Sequence, residues 1–279
     1  MKPENFELLG DILERRSGLE LSRDTIYLLE SRLTPVARKH GFEDLDQVAQ
    51  SIRAAPDERL LDDITETMTT NESGFFRDIR PYEVLREKVL PRLLANRPDR
   101  HLRIWSAACS SGQEPYSICM VLKELGPSLE GWRIDVLATD LSRQMLEKAK
   151  SGQYTQFEVQ RGLPIGLLLK YFRQAGDRWR IDASIRAMVD FQQFNLLHDA
   201  APFGGFDIVF CRNVLMYFGR ATKRRVLDGI AALLPPDGVL YLGADETVLG
   251  VTERFQPIPG QRGLYGPADT AAVPRRMAS

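Results

Sequence analysis

The sequence is poor in cysteine and in histidine, with three residues of each among 279. The cysteines are Cys109, Cys119 and Cys211, and the histidines are His40, His101 and His198. The cysteines are too few and too far apart for a disulfide framework or a zinc-finger spacing. Nothing in the sequence brings the histidines together for a catalytic triad. We therefore expect no metal ion, and cysteines that pack as small apolar side chains.

A charge excess of either sign is also lacking, since the net charge is −1 at pH 7. We therefore expect a protein that binds no nucleic acid. No apolar run approaches the ~20 residues that span a bilayer, and the first residues do not resemble a signal peptide. We expect a cytoplasmic protein without membrane insertion. Hydrophobic residues make up 43% and charged residues 27%, as in ordinary globular domains.

Helical periodicity dominates the first 70 residues, and no strand-like alternation interrupts it. Four apolar stripes begin at Phe6, Ile26, Leu45 and Leu60. Gly18 is placed to end the first helix, and Asp44 to cap the third. The pattern predicts a small all-α domain, which we assign to residues 1–75.

One basic cluster within this segment consists of Arg32, Arg38, Lys39 and His40. It indicates either a face for an acidic partner or an ordinary solvated helix face. The following joint, residues 65–78, is polar but ends in Phe75-Phe76-Arg77. The two phenylalanines are interpreted either as packing anchors or as ligand contacts. A single amphipathic helix is predicted next, over residues 81–96.

Residues 103–120, RIWSAACSSGQEPYSICM, are the stretch around which the rest is organised. An apolar strand (103–108) leads into a turn of small residues (109–113), and a helix begins at Glu114 and Pro115. Such a unit opens the cofactor crevice of a doubly wound α/β sheet. Gly112 removes a Cβ that would keep a ligand from the backbone.

A second apolar strand, over residues 132–140, ends in Asp140. An acid at this place holds ribose hydroxyls in folds of this kind. The alternative is that Asp140 caps the following helix, for which Ser142 is a rival cap. Asp140 thus has either a ligand or a structural role.

The α/β alternation is interrupted between residues 154 and 189. Gly176-Asp177 is predicted to turn a hairpin whose strands are residues 179–181 and 185–191. We interpret about residues 155–188 as an inserted β-subdomain of the 76–267 domain. Further strands are predicted over 189–197, 206–210, 239–243 and 261–265, with a helix over 222–234. Residues 268–279 are predicted to be disordered.

The turn after the first strand is neither G-x-G-x-x-G nor a P-loop, because no lysine follows Gly112. Glu114 stands at the helix start, where a phosphate site would avoid an anion. An acid there suits an ammonium group, and Asp140 suits a ribose. The two together favour S-adenosylmethionine, which carries both groups and no phosphate.

Four segments also carry a resemblance to a known family: WSAACSSGQEPYSICM, VLATDLSRQMLEKAKSGQY, FQQFNLL and FDIVFCRNVLMYF. In this order they closely resemble the chemotaxis receptor methyltransferases, the CheR family, over about residues 5 to 266. The resemblance implies an α/β fold: a doubly wound, Rossmann-like S-adenosylmethionine-dependent methyltransferase domain, with a small all-α N-terminal domain and a small β-subdomain insertion. Gln113 stands where many relatives have an acid.

The resemblance further implies the reaction, which is methyl transfer from S-adenosylmethionine to glutamate side-chain carboxylates, giving glutamate 5-O-methyl esters. The implied partner is the cytoplasmic helical region of membrane chemoreceptors. In some relatives the β-subdomain docks onto a receptor's C-terminal pentapeptide. Since the insert is short here, we expect that such docking is not needed, and we expect a monomer.

Matching the motifs position by position implies the site residues. Arg77 and Tyr217 are the expected catalytic residues, Arg77 holding a carboxylate and Tyr217 facing the methyl group with Asn213. The alternatives are a surface ion pair for Arg77 and plain packing for Tyr217. The expected cofactor-binding residues are Asn71, Ser73, Arg77, Glu114, Asp140, Met145, Asn195, Leu196 and Asn213.

Individual roles follow from the same match. Glu114 takes the methionine ammonium and Asp140 the ribose. Met145 flanks the adenine, or is ordinary core, and Asn195 and Leu196 meet the adenine edge. One further residue, Arg212, would pair with the substrate acid or with Asp207.

Three other functions are alternatives for this sequence. A small-molecule or RNA methyltransferase would share the cofactor domain, but no N-P-P-Y-type loop or basic aromatic surface is present. A regulatory S-adenosylmethionine-binding module would not need Arg77 or Tyr217. If residues 1–70 were only an interaction module, their removal would leave methylation intact.

Overall fold

The computed structural model describes residues 1–69 and 72–268. The α-helices are α1 (Pro3–Ser17), α2 (Ile26–Lys39), α3 (Leu45–Ala54), α4 (Glu58–Met68), α5 (Arg80–Val84), α6 (Leu90–Ala95), α7 (Gln113–Glu124), α8 (Arg143–Ser151), α9 (Gln156–Gln160), α10 (Ile165–Tyr171), α11 (Ala183–Arg186) and α12 (Arg220–Leu233). The strands are β1 (His101–Ala107), β2 (Arg133–Asp140), β3 (Gln153–Thr155), β4 (Phe172–Ala175), β5 (Arg178–Ile181), β6 (Val189–Gln193), β7 (Ile208–Cys211), β8 (Val239–Tyr241), β9 (Phe255–Pro257) and β10 (Leu264–Pro267).

Helices α1 to α4 pack around their own apolar core, to which all four predicted stripes contribute. Leu9, Leu29 and Leu60 in this core are essentially inaccessible to solvent. Gly18 follows α1 with φ +79°, a left-handed conformation that costs glycine little. Asp44 caps α3 by accepting the backbone N–H of Gln47. The helical character of this segment is confirmed; the exact domain boundaries stay a prediction.

Most of the basic cluster on α2 is bound within the helical segment. Lys39 Nζ and His40 Nε2 each lie 2.7 Å from the Asp63 carboxylate. Arg32 donates to the backbone carbonyls of Met68 and Thr69. These contacts fix the segment internally, so three of the four residues are not free for an acidic partner.

The main sheet has the strand order β6-β2-β1-β7-β8-β10-β9. Its first five strands are parallel, and β10 is antiparallel to β8 and β9. From β1 the chain proceeds outward through β2 to β6, and then returns to the other side of β1 through β7. This reversal between β1 and β7 creates a crevice at the carboxyl ends of the strands. The doubly wound α/β fold is confirmed.

The helix predicted over residues 81–96 contains a π-helical turn, Leu85–Val89, between α5 and α6. Here the N–H of Leu90 donates to the carbonyl of Leu85, five residues earlier. Pro91 explains the irregularity, because a proline inside an α-helix offers no N–H and its ring clashes with the carbonyl four residues before it. The helix continues, with one widened turn.

The inserted subdomain is a three-stranded antiparallel sheet of order β3-β5-β4 beside α9 and α10. Gly176-Asp177 makes the predicted turn, but it joins β4 to β5. The predicted second hairpin strand over residues 185–191 is wrong. Asp182 caps α11 by accepting the N–H of Ser184, which turns the chain away from the hairpin, and β6 then pairs with β2.

Strand β9 was not predicted; it is three residues long and carries no alternating pattern. The last strand, β10, lies a few residues beyond the predicted 261–265. The tail predicted to be disordered lies, after Ala268, outside the described residues.

Candidate functional site

A cleft opens at the sheet edge where the strand order reverses. The loops after β1, β2, β6 and β7 line it from the sheet side. The joint between the helical segment and the sheet lines it from the other side, together with Ser17 at the end of α1 and Leu19 after it. The cleft is therefore built by both parts of the chain.

The loop after β1 is the tightest part of the cleft wall. Ala108 and Ser110 have φ of 58° and 49°, and Gly112 has φ of 88°. A Cβ on Gly112 would lie 2.8 Å from the Cβ of Ala149 on α8. This position therefore needs glycine both for its backbone angle and for its space. The cysteine that follows Ala108 is buried, as expected for an apolar role.

Asp140 lies at the end of β2, lines the cleft and is only 7% exposed. Its carboxylate accepts the backbone N–H of Ser110 at 2.7 Å and that of Ser142 at 2.9 Å. Burial raises the pKa of the Asp140 carboxyl, and these N–H donors oppose the shift. Ser142 is the N-cap of α8, accepting the N–H of Met145, so the alternative that Asp140 is this cap is wrong.

Glu114, at the start of α7, is held by a hydroxyl and a guanidinium. Ser106 Oγ donates to it at 2.8 Å, and Arg212 Nη1 lies 3.1 Å away. Arg212 also contacts Asp78 at 2.6 Å, and its side chain is 2% exposed. Burial raises the pKa of the Glu114 carboxyl, and Arg212 partly offsets this.

The suggested pair between Arg212 and Asp207 is wrong. Asp207 instead lies 2.8 Å from Arg97, at the opposite end of the strands. Arg212 thus sits between two acids at the cleft and leaves little charge for another anion.

Arg77 also lines the cleft, and it is partly exposed. Its Nη1 donates to the backbone carbonyl of Glu72 at 3.0 Å. Among the described residues, no carboxylate lies within ion-pair distance of Arg77, so the alternative of a surface ion pair is wrong. Phe75 and Phe76 are buried beside it against aromatic rings. Their interpretation as packing anchors is confirmed.

Tyr217 and Asn213 line the cleft from the loop after β7. Asn213 has a positive φ of 59°. The backbone carbonyl of Tyr217 accepts the N–H of Glu20, and Leu19 pairs with Phe218 in a short β-bridge. The segment after α1 thus contacts the loop that carries the expected catalytic tyrosine.

Asn195 and Leu196 line the cleft after β6. The Asn195 amide donates to the carbonyl of Arg16 at 2.6 Å, and its oxygen accepts the N–H of Leu197 at 3.0 Å. Both polar groups of Asn195 are therefore bound within the protein. A contact with an adenine would use the second N–H or the second acceptor position of the Asn195 amide.

Three other predicted residues differ in their placement. Ser73 lines the cleft. Met145 is half-buried on α8 and is not among the cleft-lining residues. Asn71 lies outside the described residues. The roles of all the predicted site residues stay predictions.

Sequence reasoning missed the contribution of the helical segment to this site. Besides Ser17 and Leu19, Glu66 on α4 accepts the Ser142 hydroxyl at 2.6 Å and the backbone N–H of Gln144 at 2.8 Å. An acid at the start of α8 is stabilised by the helix dipole. No sequence signal indicated the contact, because its partners are more than seventy residues apart.

The hydrogen-bond acceptors of the cleft fit S-adenosylmethionine. A carboxylate has about four acceptor positions. Glu114 accepts two hydrogen bonds from described residues, and Asp140 accepts two, with the N–H of Leu141 as a further nearby donor. Each can accept further hydrogen bonds, from an ammonium group or from ribose hydroxyls. Neither a phosphate nor a pyrophosphate would be favoured between two acids.

Across residues 1–69 and 72–268, no three His, Cys, Asp or Glu side chains are grouped so as to bind a metal ion. Within the same ranges, no helix combines the length and apolarity needed to cross a bilayer. His40 and His101 are each paired with an aspartate, Asp63 and Asp135 respectively.

Comparison with known proteins identifies the family. The model of the CheR methyltransferase all-alpha domain matches residues 4–69, and that of the CheR methyltransferase SAM binding domain matches residues 71–264. Chemotaxis protein methyltransferase Cher2 of Pseudomonas putida is 42% identical over 264 residues, covering 93% of this chain and 96% of the relative.

Two further relatives agree. Chemotaxis protein methyltransferase 1 of Pseudomonas aeruginosa is 41% identical over 266 residues, covering 93% of this chain and 96% of its own. The chemotaxis protein methyltransferase of Vibrio parahaemolyticus is 38% identical over 264 residues, covering 94% and 95%. The resemblance predicted from the four motifs is confirmed: the chain belongs to the CheR methyltransferase family and is an S-adenosylmethionine-dependent methyltransferase.

Proposed function

We propose that this protein transfers the methyl group of S-adenosylmethionine to glutamate side-chain carboxylates of membrane chemoreceptors, giving glutamate 5-O-methyl esters. The observation that carries the proposal is the difference between the two arginines of the cleft. Arg212 lies between Asp78 and Glu114, whereas Arg77 has no carboxylate within ion-pair distance in the described ranges. The acid that the Arg77 charge does influence, Glu72, is paired with Arg161. The Arg77 guanidinium is therefore in no direct ion pair and can bind an incoming carboxylate.

The cofactor would be held by the two buried acids. Glu114 would bind the methionine ammonium, and Asp140 would accept hydrogen bonds from the ribose hydroxyls. When bound, S-adenosylmethionine supplies a methyl group on a positively charged sulfur. We also keep Asn71, Ser73, Met145, Asn195, Leu196 and Asn213 as proposed cofactor contacts.

The chain's own residues then position and desolvate the substrate. A glutamate side chain, with a pKa of ~4.3, is already ionised at neutral pH and needs no strong general base. The Arg77 guanidinium can bind both oxygens of a carboxylate. The Tyr217 hydroxyl can donate to one of them and orient the other toward the methyl group. In-line placement and exclusion of water are then the main contributions of the protein.

The proposed partner is the helical cytoplasmic region of a chemoreceptor, and the proposed compartment is the cytoplasm. The names of the relatives support a role in chemotaxis. We propose further that the protein acts as a monomer and without a metal ion.

Transfer of radiolabelled methyl groups to receptor-bearing membranes tests the reaction. We expect the label to become volatile on alkaline treatment, because carboxyl methyl esters hydrolyse in base whereas N-methyl groups do not. Arg77→Lys keeps the positive charge but loses the planar guanidinium that binds a carboxylate in a bidentate manner. It should therefore strongly reduce the incorporation of labelled methyl groups. Label that is stable to alkali would overturn the assignment to glutamate.

A further inference from the structure

A buried carboxylate that the proposed reaction does not use lies behind the loop after β7. Glu246 is 8% exposed and is not among the cleft-lining residues. Its side chain accepts four backbone N–H groups: Gly243 and Asn213 at 2.7 Å, Val214 at 2.9 Å and Met216 at 3.2 Å. One side chain therefore binds the end of β8 and most of the 213–217 loop.

The local backbone shows why such an anchor is needed. Asn213 adopts a positive φ of 59°, a left-handed conformation that asparagine adopts more readily than other residues with a side chain. The loop is also short of regular structure, with only a 3₁₀ turn at Leu215–Tyr217. The carboxylate supplies acceptors for N–H groups that no strand or helix satisfies.

Gly243 allows the carboxylate and the loop to come together. A Cβ at Gly243 would lie 2.7 Å from Asn213 Nδ2 and 2.8 Å from Glu246 Oε2. The same Cβ would lie 3.0 Å from the backbone N of Asn213, whose N–H Glu246 Oε2 accepts, so any larger residue would disturb this bond. The absence of a side chain at Gly243 therefore leaves the space in which Glu246 meets the backbone of Asn213.

We infer that Glu246 is a positioning residue for methyl transfer, which fixes the 213–217 loop so that Tyr217 and Asn213 face the cleft. The inference rests on the proposed function, since it assumes that Tyr217 acts in the reaction. A carboxylate is required because it offers about four acceptor positions and no donor. Glutamine is isosteric, but it would turn an NH₂ group toward backbone N–H donors.

Hydrogen exchange tests the anchor without any catalytic assay. In the ligand-free protein, Glu246→Gln should speed exchange of the amides of Asn213, Val214 and Met216 by about tenfold or more. Asp245→Asn is the matched control, because Asp245 is adjacent and exposed, and it should leave exchange unchanged. Equal exchange in Glu246→Gln and wild type would overturn the inference.

Kinetics test whether the anchor acts through Tyr217. Glu246→Gln should lower kcat by about tenfold while the KM for S-adenosylmethionine changes by less than about threefold. In a Tyr217→Phe background the same substitution should cost little more, since both changes then remove one function. Fully additive losses would overturn the inference and indicate a merely structural role.

The outcome of the wild-type assay separates the two proposals. If the wild-type protein does not esterify receptor glutamates, the proposed function fails, although faster exchange in Glu246→Gln would still establish the anchor. If the wild type is active and Glu246→Gln matches it in kcat, only the inference fails. Glu246→Asp, which keeps the charge on a shorter side chain, should recover part of the lost kcat.

Discussion

Two buried carboxylates stand at the carboxyl edge of the sheet, Asp140 at the end of β2 and Glu246 beyond β8, and both accept hydrogen bonds from backbone N–H groups of nearby loops. They are equally buried, at 7% and 8% exposed. Asp140 accepts two N–H groups and lines the cleft. Glu246 accepts four and does not line it. Under the proposed roles, similar burial would serve two purposes, ligand contact at Asp140 and loop geometry at Glu246.

We expect the two carboxylates to affect different quantities. A ligand contact should control the affinity for the cofactor, whereas loop geometry should control kcat. Asp140 keeps acceptor positions for a ligand, whereas the acceptor positions of Glu246 are all occupied by the backbone. Substitutions at the first site should weaken cofactor binding. Those around the second should mainly lower kcat.

The largest effect is expected for Asp140→Ala, which should weaken S-adenosylhomocysteine binding by about 100-fold or more. The substitution removes the proposed ribose acceptor and leaves two buried N–H groups without a partner, at about 1–3 kcal/mol each. Isothermal titration calorimetry measures the affinity. Asp190→Ala, at an exposed position on β6, is the control and should bind normally. An affinity within threefold of wild type would contradict the ribose role of Asp140.

Gly243→Ala should act on the other carboxylate and lower kcat by about tenfold, with a smaller change in affinity. The added Cβ would push Asn213 or Glu246 out of place, at a cost of about 1–3 kcal/mol for the misfit. Steady-state methylation assays measure kcat, and urea unfolding measures the loss in the free energy of unfolding.

The control for this substitution is Gly229→Ala on α12, where no atom lies within 4 Å of the new Cβ. It should leave kcat unchanged and stabilise the fold by about 0.5–1 kcal/mol, because alanine favours a helix over glycine. If both alanine variants kept the wild-type kcat, Gly243 would not be needed for the loop geometry.

Asn195 extends the comparison to a loop that has no carboxylate anchor. Its side chain bonds Arg16 and Leu197, so it ties the loop after β6 to the end of α1. Asn195→Ala should lower the free energy of unfolding by about 1 kcal/mol and weaken S-adenosylhomocysteine binding only about threefold. Gln192→Ala, at an exposed position on β6, is the control. A loss of affinity of about tenfold or more would instead show that the side chain of Asn195 is a major contact of the ligand.

The same comparison explains what could be predicted from the sequence. Asp140 was predicted because its position, after an apolar strand and beyond a glycine turn, is a local pattern with a known ligand. Glu246 was not, because its partners are backbone N–H groups, which every residue has. Three of these come from residues about thirty positions earlier. A side chain that binds backbone leaves no complementary residue type in the sequence.

Long-range pairing limited the prediction elsewhere too. Strands β1 and β2 were predicted to within two residues because apolar runs are local. The partners of Arg212 could not be predicted, since Asp78 is 134 positions away and Asp207, much nearer in sequence, carries the same charge. The hairpin error has the same origin: residues 189–193 carry a strand pattern, but only the sheet edge determines where it pairs.

Lowering the pH should also separate Asp140 from Glu246, through the affinity for S-adenosylhomocysteine. Burial raises the pKa of the carboxyls of Asp140 and Glu114, so they take up protons at a higher pH than exposed acids do. Only the ionised forms suit the ammonium and the ribose hydroxyls. Affinity for S-adenosylhomocysteine should therefore fall as the pH falls, by up to about tenfold for each unit below the raised pKa of a given carboxyl.

Calorimetric titrations from about pH 8 to about pH 5 measure this dependence. Asp140→Asn should flatten the profile, because it removes one of the two groups that must be ionised. Glu246→Gln should leave the slope of the profile unchanged and move it slightly to lower pH, because Glu246 does not line the cleft but its charge contributes to the raised pKa of the Glu114 carboxyl. If Glu246→Gln flattened it as much as Asp140→Asn does, both carboxylates would be linked to ligand binding, and affinity and rate would not divide between the two sites.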